Sequence, residues 1–409
     1  QDGHLYLESA INNGAAACVV SEDVTENGVG MLAVKDTFTA LENLAHFNRK
    51  RSQASIIAVT GSVGKTSTKE MLNLAFESLG ETFCSKGNYN NHYGVPLSLA
   101  NMPEFTQYGV FELGMNHAGE ILPLSKMVKP DVAIITTVEP VHLEFFNSVE
   151  EIADAKAEIF AGVKEGGTVV LNRDNPYFER LCDHAKSCAI TNIISIGEHA
   201  HADIRLANYT QTLSGCEVQA SMFGNKITYQ LGISGKHQAL NSLLVLATIK
   251  ALKGDVECGM NALSEFCAAP GRGKVHHVLW TTGELVLIDD SYNASPASVA
   301  VAIDNLKQCK KQHGCRTVAM LGDMFELGET AIQMHQKLED NLLKGQVDEV
   351  ITVGSLMKYL HDVLPEKIKG AHFDDADTAL AAATSLIREG DVILVKGSRG
   401  VRMDKIVTK

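Results

Sequence analysis

From residue 56 onward the chain alternates short β-branched runs with longer windows in which apolar residues recur every three to four positions. Residues 56–59, 109–113, 132–136, 168–171 and 193–196 are predicted strands, and 66–79 and 149–163 predicted helices. That alternation predicts βαβ units and a mostly parallel sheet, an α/β fold. Residues 203–231 lack helical periodicity and predict a small antiparallel patch, followed by a long helix over about 238–253. Pro270-Gly271-Arg272-Gly273 then punctuates the chain as a linker would. A second alternating series follows, with strands at 284–289, 317–321, 349–353 and 391–395 and helices at 296–312, 333–343 and 377–388. The expected organisation is a short α/β segment over 1–48, a central domain over 49–268 and a second α/β domain over 269–409.

Length supports this division, because 409 residues exceed what one hydrophobic core usually organises. A net charge of −13 argues against a nucleic-acid partner, which needs clustered Lys and Arg. No apolar run approaches the roughly 20 residues of a membrane span. Nine scattered cysteines without a Cys-x-x-Cys pair suit reduced thiols in a cytoplasmic protein. The chain opens on Gln1 rather than Met, and the expectation is that N-terminal residues normally precede it.

The candidate chemistry begins at Thr60-Gly61-Ser62-Val63-Gly64-Lys65-Thr66-Ser67. A strand, a glycine-rich turn and a helix start come in the order of a phosphate-binding loop. Only two residues separate Gly61 from Gly64, where the general pattern has four. Backbone amides at a helix N-terminus attract phosphate, Lys65 would reach the outer phosphates, and the Thr66 hydroxyl would hold Mg²⁺. The bland alternative is a βα turn with an incidental Lys-Thr. The context on both sides favours a nucleotide site.

Other segments say what kind. They are Lys86-Gly87-Asn88-Tyr89-Asn90-Asn91-His92, Phe111-Glu112-Leu113-Gly114, His142-Leu143-Glu144, Asp154-Ala155-Lys156-Ala157-Glu158, Asp290-Ser291-Tyr292-Asn293-Ala294, Leu321-Gly322-Asp323-Met324 and Val395-Lys396-Gly397-Ser398-Arg399. With the short loop, this set resembles the Mur ligases, relatives of the folylpolyglutamate synthetases, over nearly the whole chain. The resemblance implies a three-domain architecture: a central phosphate-loop ATPase sheet, a Rossmann-like C-terminal domain and a truncated N-terminal domain. It implies ATP-dependent amide formation through an acyl phosphate, in the branch that adds D-Ala-D-Ala to UDP-MurNAc-tripeptide during cell-wall synthesis. A monomer is expected. Two other readings stand beside this one: a sister ligase using another amino acid as amine, and a nucleotide-dependent switch or transport ATPase. The last lacks support, since no guanine-reading Asn-Lys-x-Asp is present.

The resemblance also implies roles. Gly61, Ser62, Val63, Gly64, Lys65, Thr66 and Ser67 would bind ATP phosphates, and Asn241, Arg272, Asp290, Tyr292 and Asn293 the rest of the nucleotide. Thr66, Glu112, His142 and Lys156 would hold two Mg²⁺ ions, with Lys156 carbamylated. Read by spacing alone, Lys156 is an exposed helical lysine without a charged i,i+4 partner. Glu112 alone is a strand-end carboxylate, and Arg272 a linker arginine. Lys65, Glu112, His142 and Lys156 form the implied catalytic set. Asn88, Asn90 and Asn91 would line the muramoyl-peptide side, and Asp323, Lys396, Ser398 and Arg399 the dipeptide side. Gln238, Ser295 and Ser67 depart mildly from the family pattern.

Overall fold

The structure is a computed structural model that describes residues 2–22, 29–140, 144–211, 215–280 and 283–408. Among them the strands fall into three sheets. β1 (Ala17–Val20) and β2 (Gly30–Ala33) form a parallel pair near the start. Nine strands follow: β3 (Ser55–Thr60), β4 (Thr82–Cys84), β5 (Tyr108–Glu112), β6 (Val132–Ile135), β7 (Thr168–Asn172), β8 (Asn192–Gly197), β9 (Ile204–Gln211), β10 (Cys216–Met222) and β11 (Asn225–Leu231). Their order is β11-β10-β9-β8-β7-β6-β3-β5-β4.

β3 lies between β5 and β6, so the chain leaves it to build the sheet in one direction and returns to build the other. Ligands of doubly wound sheets collect at such a switch point, at the carboxyl ends of the strands. The antiparallel patch is no separate unit. β9 pairs with β8 in parallel before turning into the β9–β10–β11 meander, and so extends the central sheet.

Alternation along β3 explains how both faces are covered. Ile56 and Ala58 pack with helices Ile121–Val128 and Val149–Ala157 on one side. Ile57 and Val59 pack with helices Lys65–Glu77 and Lys236–Ala251 on the other. Such burial contributes about 1.5–3 kcal/mol per large aliphatic side chain. It explains why β3 carries no polar residue from Ile56 to Val59.

The third sheet contains β12 (Lys274–Trp280), β13 (Gly283–Asp290), β14 (Thr317–Gly322), β15 (Glu349–Val353), β16 (Lys369–Phe373) and β17 (Val392–Lys396), in the order β12-β13-β17-β14-β15-β16. Only the β12–β13 pair is antiparallel. Helix Pro296–His313 begins with a capping box at Ser295 and ends on left-handed Gly314, as its sequence asks. The helix expected over 333–343 is two short ones, Ala331–Gln336 and Leu338–Lys344. Helix Thr37–Arg51 runs past residue 48. Its buried Arg49 donates to the Val128 and Lys129 carbonyls, which fastens this helix to the central unit. No described helix is long and apolar enough to cross a membrane.

Candidate active site

The turn after β3 is shaped by two glycines. Gly61 (φ +151°) and Gly64 (φ +85°) take backbone angles L-residues avoid, and a Cβ on Gly61 would overlap the Thr136 hydroxyl at the end of β6. That hydroxyl donates to the Val63 carbonyl at 2.5 Å, while Ser62 Oγ donates to the Glu139 carbonyl at 3.0 Å. The loop is thereby pinned to the strand beside it. Helix Lys65–Glu77 starts on Gly64 with no side-chain cap, which leaves its first amides free to meet an anion. Lys65 Nζ lies back on the Gly61 carbonyl at 2.7 Å. Burial pushes its pKa down, the Glu112 carboxylate opposes that, and the Arg272 charge adds to it.

Glu112 closes β5 and is buried, with one oxygen accepting from Thr66 Oγ1 at 2.9 Å and the other from Asn90 Nδ2 at 2.8 Å. A hydroxyl and a carboxylate in contact at a phosphate loop make a set of hard oxygen donors suited to Mg²⁺. Lys156 is 2% exposed on helix Val149–Ala157 and has no ion-pair partner among the described residues. Burial, then the neighbouring Lys65 charge, holds its pKa well below the ordinary lysine value. His142 lies outside the described residues.

A cavity of about 1100 Å³ opens over this loop and continues to the carboxyl ends of the third sheet. Ser62, Val63, Gly64, Lys65, Thr66, Ser67, Asn88, Asn90, Glu112 and Asn241 line it from the central sheet. Arg272, Asp290, Tyr292, Asn293, Lys396, Ser398 and Arg399 line the opposite wall. There the Arg272 guanidinium stacks on the Tyr292 ring, 4.1 Å from its centroid, and Arg399 Nη1 donates to the Tyr292 hydroxyl at 3.3 Å. Lys396 Nζ pairs with Asp290 Oδ2 at 2.6 Å and donates to the Asn293 carbonyl at 3.0 Å. Burial nonetheless raises the Asp290 pKa, against the pull of Lys396 and Arg272.

Gly61, Asn91, Lys156 and Asp323 are not among the residues that line this cavity. Asn91 Oδ1 accepts the Tyr93 and Gly94 amides, and buried Asp323 accepts the Met357 amide at 2.7 Å. Other groups around the cavity carry no motif that marks them in the sequence. Thr136 and Glu139 hold the loop, and burial raises the Glu139 pKa. His237 lines the cavity with a pKa pushed down to about 4, first by burial and then by Lys396. Buried Asp289 accepts the Gly271 amide at 2.6 Å. A polar residue just beyond a strand end was the available signal for Thr136 and Glu139. The doubled Asp289-Asp290 was the signal at the linker.

Two family descriptions match the chain: Mur ligase middle domain over residues 59–249, and Mur ligase, glutamate ligase domain over 274–399. A UDP-N-acetylmuramoyl-tripeptide–D-alanyl-D-alanine ligase of Rickettsia prowazekii is 37% identical over 408 residues, 100% of this chain and 89% of the relative. The chain belongs to the Mur ligase family. Its fold agrees with a crystal structure of MurF from Acinetobacter baumannii at a TM-score of 0.86 and 29% identity, covering 100% of this chain and 87% of that one. A Thermotoga maritima MurF ligase solved in complex with ADP matches at a TM-score of 0.82 and 28% identity, over 99% and 90% of the two chains. In Mur ligase terms, the phosphate loop and Glu112 fall within the matched middle domain. Asp290, Lys396 and Arg399 fall within the matched glutamate ligase domain.

Proposed function

We propose that this Mur ligase joins D-Ala-D-Ala to UDP-MurNAc-tripeptide with ATP, making an amide bond in a peptidoglycan precursor. The observation that carries the reading is one cavity shared by a phosphate loop on one sheet and the Asp290–Lys396–Arg399 group on another. Near-complete coverage by a relative bearing that activity in its name supports it. Residues 1–48 are assigned to the UDP-substrate side, 49–268 to ATP and 269–409 to the incoming dipeptide.

A carboxylate must be activated before an amine can displace an oxygen from it, and phosphorylation to an acyl phosphate does this. The protein's task is to bring two anions together and stabilise the charge that moves between them. Amides of residues 61–67 would cradle the triphosphate, and Lys65 would leave its loop carbonyls for the outer phosphates. Mg²⁺, when bound, neutralises phosphate charge; Thr66 and Glu112 would hold one ion, His142 and carbamylated Lys156 a second. Burial of Lys156 beside Lys65, which pushes its pKa down, supports that assignment, because only a neutral amine adds CO₂. Asn241, Arg272, Asp290, Tyr292 and Asn293 are assigned to the nucleotide. Asn88, Asn90 and Asn91 are assigned to the UDP-linked peptide, Asn91 through its cap on the segment beyond the loop. Asp323, Lys396, Ser398 and Arg399 are assigned to the dipeptide, where an arginine fork suits a carboxylate. We take the enzyme to work as a monomer in the bacterial cytoplasm, where ATP and nucleotide-linked precursors are available.

The test supplies purified protein with Mg-ATP, UDP-MurNAc-tripeptide and a panel of amines, read by mass spectrometry and phosphate release. Phosphate release that requires both the UDP-peptide and D-Ala-D-Ala, with the mass of the ligated product, is expected. Release without an amine, or ligation of a different amino acid in preference, would overturn the assignment.

A further inference from the structure

One charged group near the cavity has no part in the chemistry above. Lys69 lies one helical turn after Lys65 on helix Lys65–Glu77 and is fully buried. Its Nζ donates to the Ser85 carbonyl at 2.9 Å and the Gly87 carbonyl at 2.9 Å, and meets Glu70 Oε1 at 3.0 Å. An ammonium has three N–H donors, so each has a partner and none remains for a ligand. A buried cation satisfied this way is a tie between the elements it touches.

Those elements are the helix that begins at the phosphate loop and the segment leading into Asn88 and Asn90. Carbonyls 85 and 87 converge on one nitrogen, so the backbone between them curves around it, and Gly87 takes a left-handed φ of +51° to do so. On the near side, the Ser85 amide is fixed to the Val110 carbonyl on β5 at 3.0 Å. On the far side, the Asn90 amide donates to the Asn88 carbonyl at 2.7 Å, and Asn90 Nδ2 donates to Glu112. Asn88 and Asn90 line the cavity; Lys69 does not.

We propose that Lys69 is a positioning residue for the UDP-linked substrate, holding residues 85–90 in register with the phosphate-loop helix. The inference rests on the assignment of Asn88 and Asn90 to that substrate. Removing the donors leaves two carbonyls to find other partners, and the segment that presents Asn88 relaxes. The phosphate loop is pinned independently by Thr136 and Ser62, so ATP binding should be spared.

Initial rates over a matrix of ATP and UDP-MurNAc-tripeptide concentrations test this in the full chain. Lys69→Met keeps the stem and removes the donors. The KM for the UDP-peptide should rise at least tenfold, with the KM for ATP within twofold and kcat within threefold of the parent. Lys69→Gln, whose amide still reaches a carbonyl, should fall between the two. It carries the test alone if the Met variant does not fold. An unchanged UDP-peptide KM, or both KM values rising together with a lowered Tm, would reduce Lys69 to a structural tie and overturn the proposal. A parent protein that does not ligate this substrate fails the substrate assignment instead, so the two failures are separable.

Discussion

A lysine amine buried beside another lysine, with no described anion to pair with, is driven toward its neutral form, and Lys156 is in that position. A neutral amine can take up CO₂, releasing one proton and leaving a carbamate whose charge suits the cation-rich surroundings. We therefore expect a carbamate ¹³C resonance when the protein is equilibrated with labelled bicarbonate, absent from Lys156→Ala. Ligation should fall at least a hundredfold in that variant, and formate should restore part of it by filling the vacated space. A fully active Lys156→Ala protein with no labelled adduct in the parent would rule this out. Lys65 poses a simpler case. Lys65→Ala removes the cation assigned to the transferring phosphoryl group, a loss of several kcal/mol at such sites. Ligation should be abolished with circular dichroism and Tm close to the parent's; activity within tenfold would count against the phosphate-loop assignment.

At the scale of elements, the loop assigned to phosphate keeps its shape because β3 and β6 are neighbours, which sets the Thr136 hydroxyl against the loop backbone. Gly61→Ala must either displace Thr136 or flatten a φ of +151°. The expected result is an ADP dissociation constant raised at least tenfold, by calorimetry, with about 1–3 kcal/mol of stability lost. Wild-type ADP affinity would show that the loop tolerates the change. Strands such as β3, β6 and β7 were legible in the sequence because burial on both faces makes them continuous β-branched runs. β4 and β16, short strands at the ends of their sheets, carry no such run and were not read. Nor was β12, which follows the linker with polar and apolar residues mixed. The loop motif could be read because its spacing encodes a backbone shape. Lys69 could not, since a lysine in an amphipathic helix reads as solvated until tertiary packing shows what covers it. Neither could the inward duty of Asp323, whose partner is set by how a strand end meets a helix start.

At the scale of the molecule, the assignment of Arg272 to the nucleotide turns on what holds the linker that carries it. The linker turn is bound to the third sheet at three points. The Gly271 amide donates to Asp289 Oδ2 at 2.6 Å, the Gly273 amide to the Asp289 carbonyl at 2.7 Å, and the Tyr292 amide to the Gly271 carbonyl at 3.0 Å. Arg272 therefore belongs mechanically to the third sheet, and any hinge between the sheets must lie before Gly271. Asp289 also accepts the Ser291 hydroxyl at 2.6 Å, so its carboxylate fixes the turn and the strand end together. If it acts through Arg272, the two residues form one unit, and substitutions in one unit are not additive. Arg272→Ala should lower kcat/KM for ATP at least tenfold, about 1.4 kcal/mol. Asp289→Ala should produce a similar loss, and the double variant should be no worse than the single Arg272 variant. Losses that multiply in the double variant would mean that Asp289 supports the fold without steering Arg272. A silent Arg272→Ala would instead remove Arg272 from the nucleotide site.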